Sequence, residues 1–532
     1  MHRRHRTTVL VAALALPVAA SGFILQERQA RDGAQLFGQV MQLVSERFVD
    51  TVGTGPLYEK AARGLLEQLQ DPYSELYTPK QLAQFTQNTG GRYGGLGMSI
   101  EPVAGRGVSV IKVFPNTPAE KAGVQAGDII IGIDTANTRD WTSDQVSNTL
   151  KGEPGSSVRV SFARPGVPQP ITSTLTRAVI HIPAVPYTLA FPGASANQQI
   201  GYIPLDGFNE TSAEEFARAV QQFQQQGVKG LVIDLRENPG GYLEQSLAIS
   251  NLFLKPGQNI LSVRGRGMPD QNYAARGTPL APDLPLVVLI NGRSASASEI
   301  VAGALQDHDR ALIIGQTSYG KGLVQTLFNL DGGYAVKLTT AKWYTPVGRS
   351  IQKERKLMPD GRYAEVYPDS LPADSLKKIR PEYKSDAGRI VYGGGAITPD
   401  LAISPDTLTL PEQELVKLLA PKLQEFYGQV AKVAYEQRGK VQRDFTVQQA
   451  WRDQLFANLQ REGILSDRTA YDAGIGFVDY WLERRVAETS FDQAAWRQRE
   501  LATDPQMQKA LEVLRRGGSQ RDLFAVASGM RR

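Results

Sequence analysis

Two short apolar segments constrain the fold of this chain more than any other feature. Residues 230–235 and 286–290 are almost unbroken aliphatic runs, and strands that are buried on both faces of a parallel sheet have this composition. Strand and helix patterns alternate around them over residues 169 to about 350, which predicts an α/β core. Ser212 and Glu215 have the spacing of a capping box, so we expect them to begin the first helix of this core.

The length of 532 residues is more than one hydrophobic core organises, so several domains are expected. The predicted fold class is an α/β core with a mixed sheet and flanking helices, an inserted α+β domain, an N-terminal helical region and a C-terminal helical extension. The predicted segments are 1–26 (leader or anchor), 27–88 (N-terminal helices), 89–168 (α+β domain), 169–409 (core, with a polar insertion at about 353–392) and 410–532 (helical extension).

Charge and composition exclude several classes of function. The formal net charge is +5, and three of the positive charges belong to the leader, on Arg3, Arg4 and Arg6. The net positive charge that remains is small, so nucleic acid is not an expected partner. The chain has no cysteine, which excludes thiol nucleophiles, disulfides and cysteine-ligated metal sites. Outside the leader the histidines are His181 and His308, and we expect neither a metal site nor a cofactor.

The N-terminus has the layout of an export signal. A basic start precedes an apolar run over residues 7–25, and the small residues Ala19, Ala20 and Ser21 lie near its end. Left uncleaved, the run is close to the roughly 20 apolar residues that span a bilayer. We therefore expect an extracytoplasmic protein, periplasmic or secreted, that is either free or tethered to the membrane through residues 7–25.

The segment over residues 286–325 carries the residues best suited to chemistry. An apolar strand pattern ends at Asn291, and Ser294, Ser296 and Ser298 then alternate with alanines at a predicted helix start. Small residues let a substrate backbone approach, and the free N–H groups of a helix N-terminus can stabilise an oxyanion. Serines at helix starts are also common capping residues. The pattern alone therefore leaves two interpretations, a nucleophile and a cap.

A serine nucleophile needs a base, and histidine does not supply one here. His308 follows Ser296 by 12 residues on the same predicted helix, which is roughly 18 Å along the axis at about 1.5 Å per residue. His181 has no surrounding motif. Lys321 lies in a glycine-flanked loop after the next predicted strand, and burial can lower the pKa of a lysine enough for it to act as a base. Gln325 follows four residues later and could hold the amine in place.

Two other motifs suggest different chemistry and are weaker. Residues 315–321 match a phosphate-binding loop up to its last position, where Gly322 replaces the serine or threonine that holds magnesium. The segment after it has a strand pattern where a helix is required, so a nucleotide-dependent enzyme is not expected. Ser375 and Lys378 have the spacing of penicillin-binding serine enzymes, but their polar surroundings lack an adjacent apolar strand, which favours chance.

Short motifs occur in a fixed order over residues 34 to about 405. They are D-P-Y-S at 71–74, G-L-G-M-S-I at 95–100, A-E-K-A-G-V-Q-A-G-D-I-I at 119–130, D-L-R-E-N-P-G-G at 234–241, S-A-S-A-S-E at 294–299, T-S-Y-G-K-G-L-V-Q at 317–325, T-T-A-K-W-Y-T-P-V-G-R-S-I-Q at 339–352 and I-T-P-D at 397–400. Each is weak alone, but the ordered set resembles the carboxyl-terminal processing (tail-specific) proteases.

This resemblance implies a Ser-Lys peptidase mechanism. The family's nucleophile corresponds to Ser296, its general base to Lys321 and its lysine-orienting glutamine to Gln325. By similarity, the serine attacks the scissile carbonyl while the lysine takes its proton, and water then releases the acyl-enzyme. The implied oxyanion donors are backbone N–H groups, those of Ala297 and of Gly240 or Gly241.

The resemblance also identifies residues 90–164 as a PDZ domain, which binds protein C-termini. Its carboxylate-binding loop corresponds to residues whose exposed N–H groups would form a nest for a terminal carboxylate, namely Gly95, Leu96, Gly97 and Met98. The strand after this loop would pair with the extended tail. The implied partners are proteins or peptides with apolar C-termini, and in this family the domain can gate the active site.

Alternatives concern three parts of the chain and its function. Residues 353–392 are polar where the family often runs directly into its I-x-P-D segment, so they either shape a substrate entrance or form a surface excursion. The extension after residue 410 is expected to pack against the rest of the chain or to self-associate. Assembly into a homo-oligomer or binding of a regulatory adaptor is compatible with the sequence. Glu299 either supports the site or caps its helix. The alternative function is a non-catalytic peptide-binding scaffold, against which the intact Ser-Lys-Gln set argues.

Overall fold

The computed structural model describes residues 31–103, 107–164, 167–195, 197–358, 361–366 and 380–530. The predicted leader at 1–26, with its tether at 7–25, and the Ser375–Lys378 motif lie outside these residues. The described residues up to Leu82 form one compact unit with Gln325–Thr339, and the remaining described residues form a second unit.

The chain folds into α-helices and short strands. The helices are α1 (residues 31–47), α2 (Thr54–Glu67), α3 (Pro79–Gly90), α4 (Pro118–Lys121), α5 (Ser143–Leu150), α6 (Ser212–Gln225), α7 (Leu243–Asn251), α8 (Ala297–Asp307), α9 (Leu410–Leu419), α10 (Leu423–Glu436), α11 (Gln449–Arg461), α12 (Arg468–Ala473), α13 (Ile475–Ser490), α14 (Gln493–Thr503), α15 (Pro505–Arg516) and α16 (Gln520–Met530). The strands are β1 (Glu75–Tyr77), β2 (Arg92–Gly95), β3 (Met98–Val103), β4 (Gly107–Val113), β5 (Ile129–Ile133), β6 (Ala136–Asn137), β7 (Ser157–Ala163), β8 (Ile171–Thr176), β9 (Ala178–His181), β10 (Leu189–Pro192), β11 (Gln199–Pro204), β12 (Gly230–Asp234), β13 (Asn259–Gly265), β14 (Gln271–Ala274), β15 (Leu286–Ile290), β16 (Leu312–Gly315), β17 (Leu323–Asn329), β18 (Ala335–Tyr344), β19 (Arg355–Leu357), β20 (Tyr363–Glu365), β21 (Glu382–Lys384), β22 (Ile390–Tyr392) and β23 (Leu401–Ala402).

The smaller unit is built on α1, α2 and β1. Strand β1 pairs antiparallel with the first part of β18, with Leu76 opposite Val336, and Arg63 of α2 donates to the carbonyl of Leu76 at 3.0 Å. On α1, Met41 is buried. Most other large apolar side chains of α1 are exposed, namely Leu36, Phe37, Val40 and Leu43. The predicted helices are therefore present, but the apolar stripe of α1 faces solvent.

The inserted domain is a sheet in the order β3-β4-β5-β7-β8, with α5 packed against β3 and β4. Alternate side chains of its strands, among them Val108 and Ile130, form a core with Val146 of α5. A capping box begins α5, since the N–H of Gln145 donates to Thr142 Oγ1 at 3.2 Å and the N–H of Thr142 donates to Gln145 Oε1 at 2.8 Å. Strand β3 lies at the edge of this sheet, so in the described residues one side of β3 has no strand neighbour.

The core sheet has the order β10-β11-β12-β15-β16-β23. Strand β10 is antiparallel to β11, and every later pair is parallel. Helices α6, α7 and α8 pack on one face, where Ile233 and Val288 meet Phe216 and Val301. The aliphatic runs are fully buried on both faces, which confirms the prediction made from their composition.

The opposite face of the core sheet is covered by the last helices of the described chain. Val232 and Leu289 pack there against Leu511 of α15 and Leu523 of α16. These helices complete the core, so the predicted packing role of this region is confirmed for them. Helices α9 to α14 contribute to a further apolar cluster around Phe426. Across the described residues, no helix combines the length and the hydropathy that a membrane span requires.

The inserted domain contacts helices α10 and α13 through the face of its sheet that points away from its own core. Arg485 of α13 pairs with Glu101 of β3 at 2.8 Å, with both side chains largely buried. The ring of Tyr435 in α10 lies over Gly127, where a Cβ would approach it to 2.7 Å. The C-terminal helices therefore fix the position of this domain.

The predicted capping box of α6 is wrong. Ser212 is the first residue of the helix, and Thr211 before it makes no capping hydrogen bond. The hydroxyl of Ser212 donates to the carbonyl of Asn209 at 2.9 Å. Glu215 accepts hydrogen bonds from Thr211 Oγ1 at 2.6 Å and from the N–H of Val185 at 3.0 Å. Partners outside the helix therefore outcompete the local capping pattern.

Candidate active site

Ser296 lies at the start of α8, at the end of a loop that follows β15 (residues 291–296, the serine loop). Ser294 fixes this loop, because its hydroxyl donates to the carbonyl of Leu235 at 2.7 Å and accepts the N–H of Asn291 at 2.9 Å. Ser296 has φ 54° and ψ −112°, a strained conformation that costs a non-glycine residue about 1–3 kcal/mol. Such strain persists where the surroundings impose it, and it is common at active sites.

The carboxylate of Glu299 joins the serine loop to the loop between β16 and β17 (residues 316–322, the lysine loop). Its Oε2 accepts the N–H of Ser296 at 2.8 Å and that of Lys321 at 2.9 Å. Its Oε1 accepts the N–H of Gly320 at 2.7 Å and the hydroxyl of Ser318 at 2.5 Å. Burial raises the pKa of Glu299, and these donors oppose the rise. Both interpretations of this residue hold, since one carboxylate caps the helix and positions both loops.

The lysine loop is also held from its other side. The carbonyl of Lys321 accepts the indole N–H of Trp343 at 3.1 Å. The N–H of Tyr319 donates to the carbonyl of Ser294 at 3.0 Å, which places the lysine loop directly beside the serine loop. These hydrogen bonds therefore hold the backbone around Lys321 from two sides.

Residues 238–241 (the glycine turn) press against Ser296. Gly240 has φ +95°, and a Cβ on it would lie 2.7 Å from the carbonyl oxygen of Ala295 and 2.9 Å from the nitrogen of Ala297. Asn238 accepts the N–H of Gly240 on its side chain at 2.9 Å and that of Ala295 on its carbonyl at 3.0 Å. Only glycine fits at position 240, because both the conformation and the space exclude a side chain.

The predicted oxyanion donors differ in their availability. The N–H of Gly240 is engaged by Asn238. In the described part of the chain, no protein acceptor takes the N–H of Ala297 or of Gly241. Ala297 is the first residue of α8, where helical N–H groups have no intrahelical acceptor. The geometry therefore favours Ala297 and Gly241 as donors to a developing oxyanion.

Strand β17 follows the lysine loop and argues against nucleotide binding, because a phosphate-binding loop continues into a helix. Gln325 lies on β17, and its amide donates to Thr339 Oγ1 at 3.4 Å. Both described histidines have other partners: His181 pairs with Glu215 at 2.8 Å and His308 with Asp386 at 2.7 Å. Within the described ranges no cluster of three or more acidic or histidine side chains could hold a metal ion.

The predicted carboxylate-binding loop lies between β2 and β3. Gly95 is the last residue of β2 and pairs with Ala178 of β9, whereas Met98 is the first residue of β3. Leu96 and Gly97 form the connection, and Gly97 has φ +84°. The first three residues of the loop are buried and Met98 is half-buried. The loop leads directly into the edge strand of the domain.

Sequence reasoning missed a pair of side chains that joins the residue before the glycine turn to the serine loop. Asn291 donates to Glu237 Oε1 at 2.7 Å, and the N–H of Glu237 donates back to Asn291 Oδ1 at 3.1 Å. Each residue follows the carboxyl end of one of two adjacent parallel strands, β15 and β12. That placement, which the two aliphatic runs already indicate, is the signal that could have identified the pair.

Two protein-family models and several known proteases match this chain. The family model for peptidase family S41 matches residues 199–362, and the model for the PDZ domain matches residues 85–162. A carboxy-terminal-processing protease of Bartonella bacilliformis is 36% identical over 349 residues, which cover 65% of this chain and 78% of the relative.

Two further relatives have similar coverage. The chloroplastic C-terminal processing peptidase of Tetradesmus obliquus is 36% identical over 343 residues, with 63% of this chain and 73% of the relative covered. The carboxy-terminal processing protease CtpA of Bacillus subtilis is 31% identical over 352 residues, with 65% and 73% covered. The predicted fold class and family are confirmed, and the chain belongs to the carboxy-terminal processing proteases of peptidase family S41, with a PDZ domain.

Proposed function

We propose that this protein is an extracytoplasmic serine endopeptidase that captures protein C-terminal tails with its PDZ domain and cleaves them through a Ser-Lys acyl-enzyme mechanism. The observation that carries the proposal is the buried carboxylate of Glu299, which holds the backbones of Ser296 and Lys321 at the same point. A shared anchor of this kind keeps a nucleophile and a base at a constant distance and orientation.

The chemistry follows from the roles of the individual groups. The hydroxyl of Ser296 attacks the scissile carbonyl while the neutral amine of Lys321 takes its proton, and the N–H groups of Ala297 and Gly241 stabilise the oxyanion. Gln325 orients the amine. Collapse of the tetrahedral intermediate passes the proton to the leaving amine, and water, activated by the same lysine, then hydrolyses the acyl-enzyme.

Substrate capture is assigned to the edge strand β3 and to the loop before it. A tail in extended conformation adds to the free side of β3, and its carboxylate binds the N–H groups of residues 95–98. Because apolar side chains line this domain between β3 and α5, apolar tails are the preferred substrates.

The site of action is proposed to be outside the cytoplasm. The leader at residues 1–26 directs export, and residues 7–25 tether the protein wherever the leader is retained. The proposed domains of the exported chain are residues 27–88, 89–168, 169–409 and 410–532.

The test compares the full chain with Ser296→Ala and Lys321→Ala on an unstructured polypeptide that ends in an apolar tail. Each variant is expected to lose about a thousandfold or more in kcat while it stays folded. Gln325→Ala is expected to lose less, because it acts through the lysine. Ser528→Ala and Lys417→Ala, both on exposed helical positions, are the matched controls and retain full activity.

Two outcomes would contradict the proposal. Cleavage by Ser296→Ala at the wild-type rate would show that another residue is the nucleophile. A wild-type protein that binds the tail without cleaving it would favour the peptide-binding scaffold. The same substrate with an amidated C-terminus is expected to be cut more slowly, because the PDZ domain then loses the carboxylate.

A further inference from the structure

A cavity of about 810 Å³ lies between the carboxyl ends of core strands and the C-terminal helices. Ligand sites commonly have volumes of roughly 300–1,000 Å³, and in open α/β sheets they lie at this end of the strands. One wall contains Asp206, which follows β11, and Asp234, which ends β12. The other wall contains residues of α13 and α14. The matched family regions, 85–162 and 199–362, do not include those helices, so half of the cavity is built by the chain's own extension.

The lining of the cavity is strongly acidic. Its carboxylates are Asp206, Asp234, Glu237, Asp406, Glu412, Asp479, Glu483, Glu500 and Asp504, and its cationic side chains are Arg236 and Arg497. Arg236 pairs with Asp234 and Asp504, and Arg497 pairs with Glu500. Three arginines outside the lining pair with further carboxylates, Arg293 with Glu237, Arg452 with Asp479 and Arg499 with Glu483. In the described residues no arginine pairs with the remaining three carboxylates, Asp206, Asp406 and Glu412. More carboxylates than guanidinium groups therefore face the cavity, which favours a cationic occupant.

Asp206 is an exposed carboxylate that is open to a ligand in the cavity. It faces the cavity, and in the described residues no protein group donates a hydrogen bond to it. The surrounding protein desolvates this carboxylate and raises its pKa; Arg497 opposes the rise, and Asp234 adds to it. A guanidinium or ammonium group from a ligand would donate to this carboxylate in place of water and favour its ionised form.

The helix wall adds an aromatic surface suited to such a cation. The rings of Tyr480 and Trp481 are nearly perpendicular with centroids 5.5 Å apart, and Tyr480 is 39% exposed. Cations bind over the faces of such rings. Arg484 already lies over Trp481, 5.1 Å from the ring centroid, so the exposed ring of Tyr480 is the one open to a ligand. The carboxylates are spread over the walls, and in the described ranges they do not form a cluster that could hold a metal ion. An organic cation on a flexible chain therefore fits better than a metal ion.

The cavity also adjoins the candidate active site. Glu237 and Asn291 line it, and they are the pair that joins the residue before the glycine turn to the serine loop. Ser296 follows Asn291 by five residues. A polypeptide whose scissile bond lies at Ser296 can therefore extend from the serine loop into this cavity.

We propose that the cavity binds an arginine- or lysine-containing segment of the polypeptide substrate, and this inference rests on the proposed peptidase function. Basic residues at a fixed distance from the scissile bond would then increase the affinity for a substrate. The PDZ domain selects the tail of the substrate, whereas the cavity selects a basic segment elsewhere in the same chain.

Binding is tested first, independently of cleavage. The probe is a fluorophore-labelled peptide, acetyl-Gly-Arg-Gly-Arg-Gly-amide, which has no free carboxylate for the PDZ domain, and the protein is the full chain with Ser296→Ala. Replacing arginine by citrulline, which has the same shape without the charge, is expected to weaken binding about tenfold or more. Asp206→Asn and Asp406→Asn are each expected to weaken binding of the arginine probe, whereas Glu214→Gln, an exposed acid on α6, is not.

Equal affinity for the arginine and citrulline probes, or an unchanged affinity in both Asp206→Asn and Asp406→Asn, would overturn the inference. Near-ultraviolet circular dichroism verifies that the variants are folded.

Cleavage then separates this inference from the function it rests on. A substrate with two arginines upstream of the scissile bond and its citrulline counterpart are compared in the protein with its native serine. Asp206→Asn is expected to raise KM for the basic substrate about tenfold with kcat unchanged, and to leave the neutral substrate unaffected. No cleavage of either substrate would refute the peptidase proposal. Equal cleavage of both would refute the basic-segment site alone.

Discussion

Replacing Glu299 by glutamine tests the anchor on which the proposed site depends. The substitution keeps the shape of the side chain but turns one oxygen into an NH₂ group, which then faces N–H or O–H donors. If the NH₂ group takes the place of Oε2, the bonds to Ser296 and Lys321 are lost. If it takes the place of Oε1, the bond to Gly320 is lost, whereas the hydroxyl of Ser318 can turn to accept. At about 1.5–3 kcal/mol for each bond to a charged group, the loss of one or two bonds in Glu299→Gln is expected to lower the free energy of unfolding by about 1.5–6 kcal/mol.

The same change is expected to reduce the rate of cleavage. Without the shared carboxylate, the backbones of Ser296 and Lys321 are no longer held together, and a displacement of about 1 Å can cost about a hundredfold in rate. Urea unfolding followed by circular dichroism gives the stability, and single-turnover cleavage gives the rate. Glu414→Gln, at an exposed position on α9, is the control and should change neither.

A pH series sharpens the test, because burial raises the pKa of Glu299 above its usual 4.5. Between 4.5 and the raised value, the folded protein keeps a proton that the unfolded chain has released. The stability that this group contributes is full below 4.5 and is lost as the pH rises through the raised pKa. The difference in unfolding free energy between wild type and Glu299→Gln should therefore shrink as the pH rises. A variant with wild-type stability and wild-type rate at every pH would refute the role of the carboxylate.

Three further variants test other contacts. Gly240→Ala introduces a Cβ 2.7 Å from a backbone oxygen and is expected to lower kcat about a hundredfold; an unchanged kcat would exclude the close packing of the glycine turn. Arg485→Ala removes the ion pair to β3 and should speed hydrogen exchange in β3 while leaving the core strands protected; unchanged exchange there would contradict the contact. Leu511→Ala should cost about 2–5 kcal/mol of unfolding free energy, and Leu418→Ala, which is exposed, less than about 0.5 kcal/mol; equal losses would contradict the packing of α15 on the sheet.

The α/β core and the inserted domain could be predicted because their signals are local. The composition of an aliphatic run such as residues 286–290 is enough to predict a strand that is buried on both faces. The sequence also places Ser296 at a helix start, but the neighbouring residues do not decide whether it is a nucleophile or a cap. The structure shows that Glu299 serves as cap and as anchor together, through contacts to residues about 20 positions away.

Other features depend on contacts that no local pattern encodes. Ser212 and Glu215 have the spacing of a capping box, yet Glu215 binds Val185, which the chain brings close only in three dimensions. The helical period of α15 predicts an apolar stripe without naming its partner, and that partner is the core sheet. On α1 the same kind of stripe is exposed, so periodicity alone does not establish burial.

The way α15 and α16 cover the core sheet has a consequence for biosynthesis. Val232 and Leu511 touch the same cluster but are 279 positions apart in the chain, an interval of about 15–55 s at a synthesis rate of about 5–20 residues per second. During that time one apolar face of the sheet lacks its cover, so a nascent chain must be kept unfolded or shielded by a chaperone. The serine loop follows a strand of that sheet, so a chain that stops short of α15 is expected to hold this loop less firmly. A chain truncated before α15 is therefore expected to unfold more readily than the full chain.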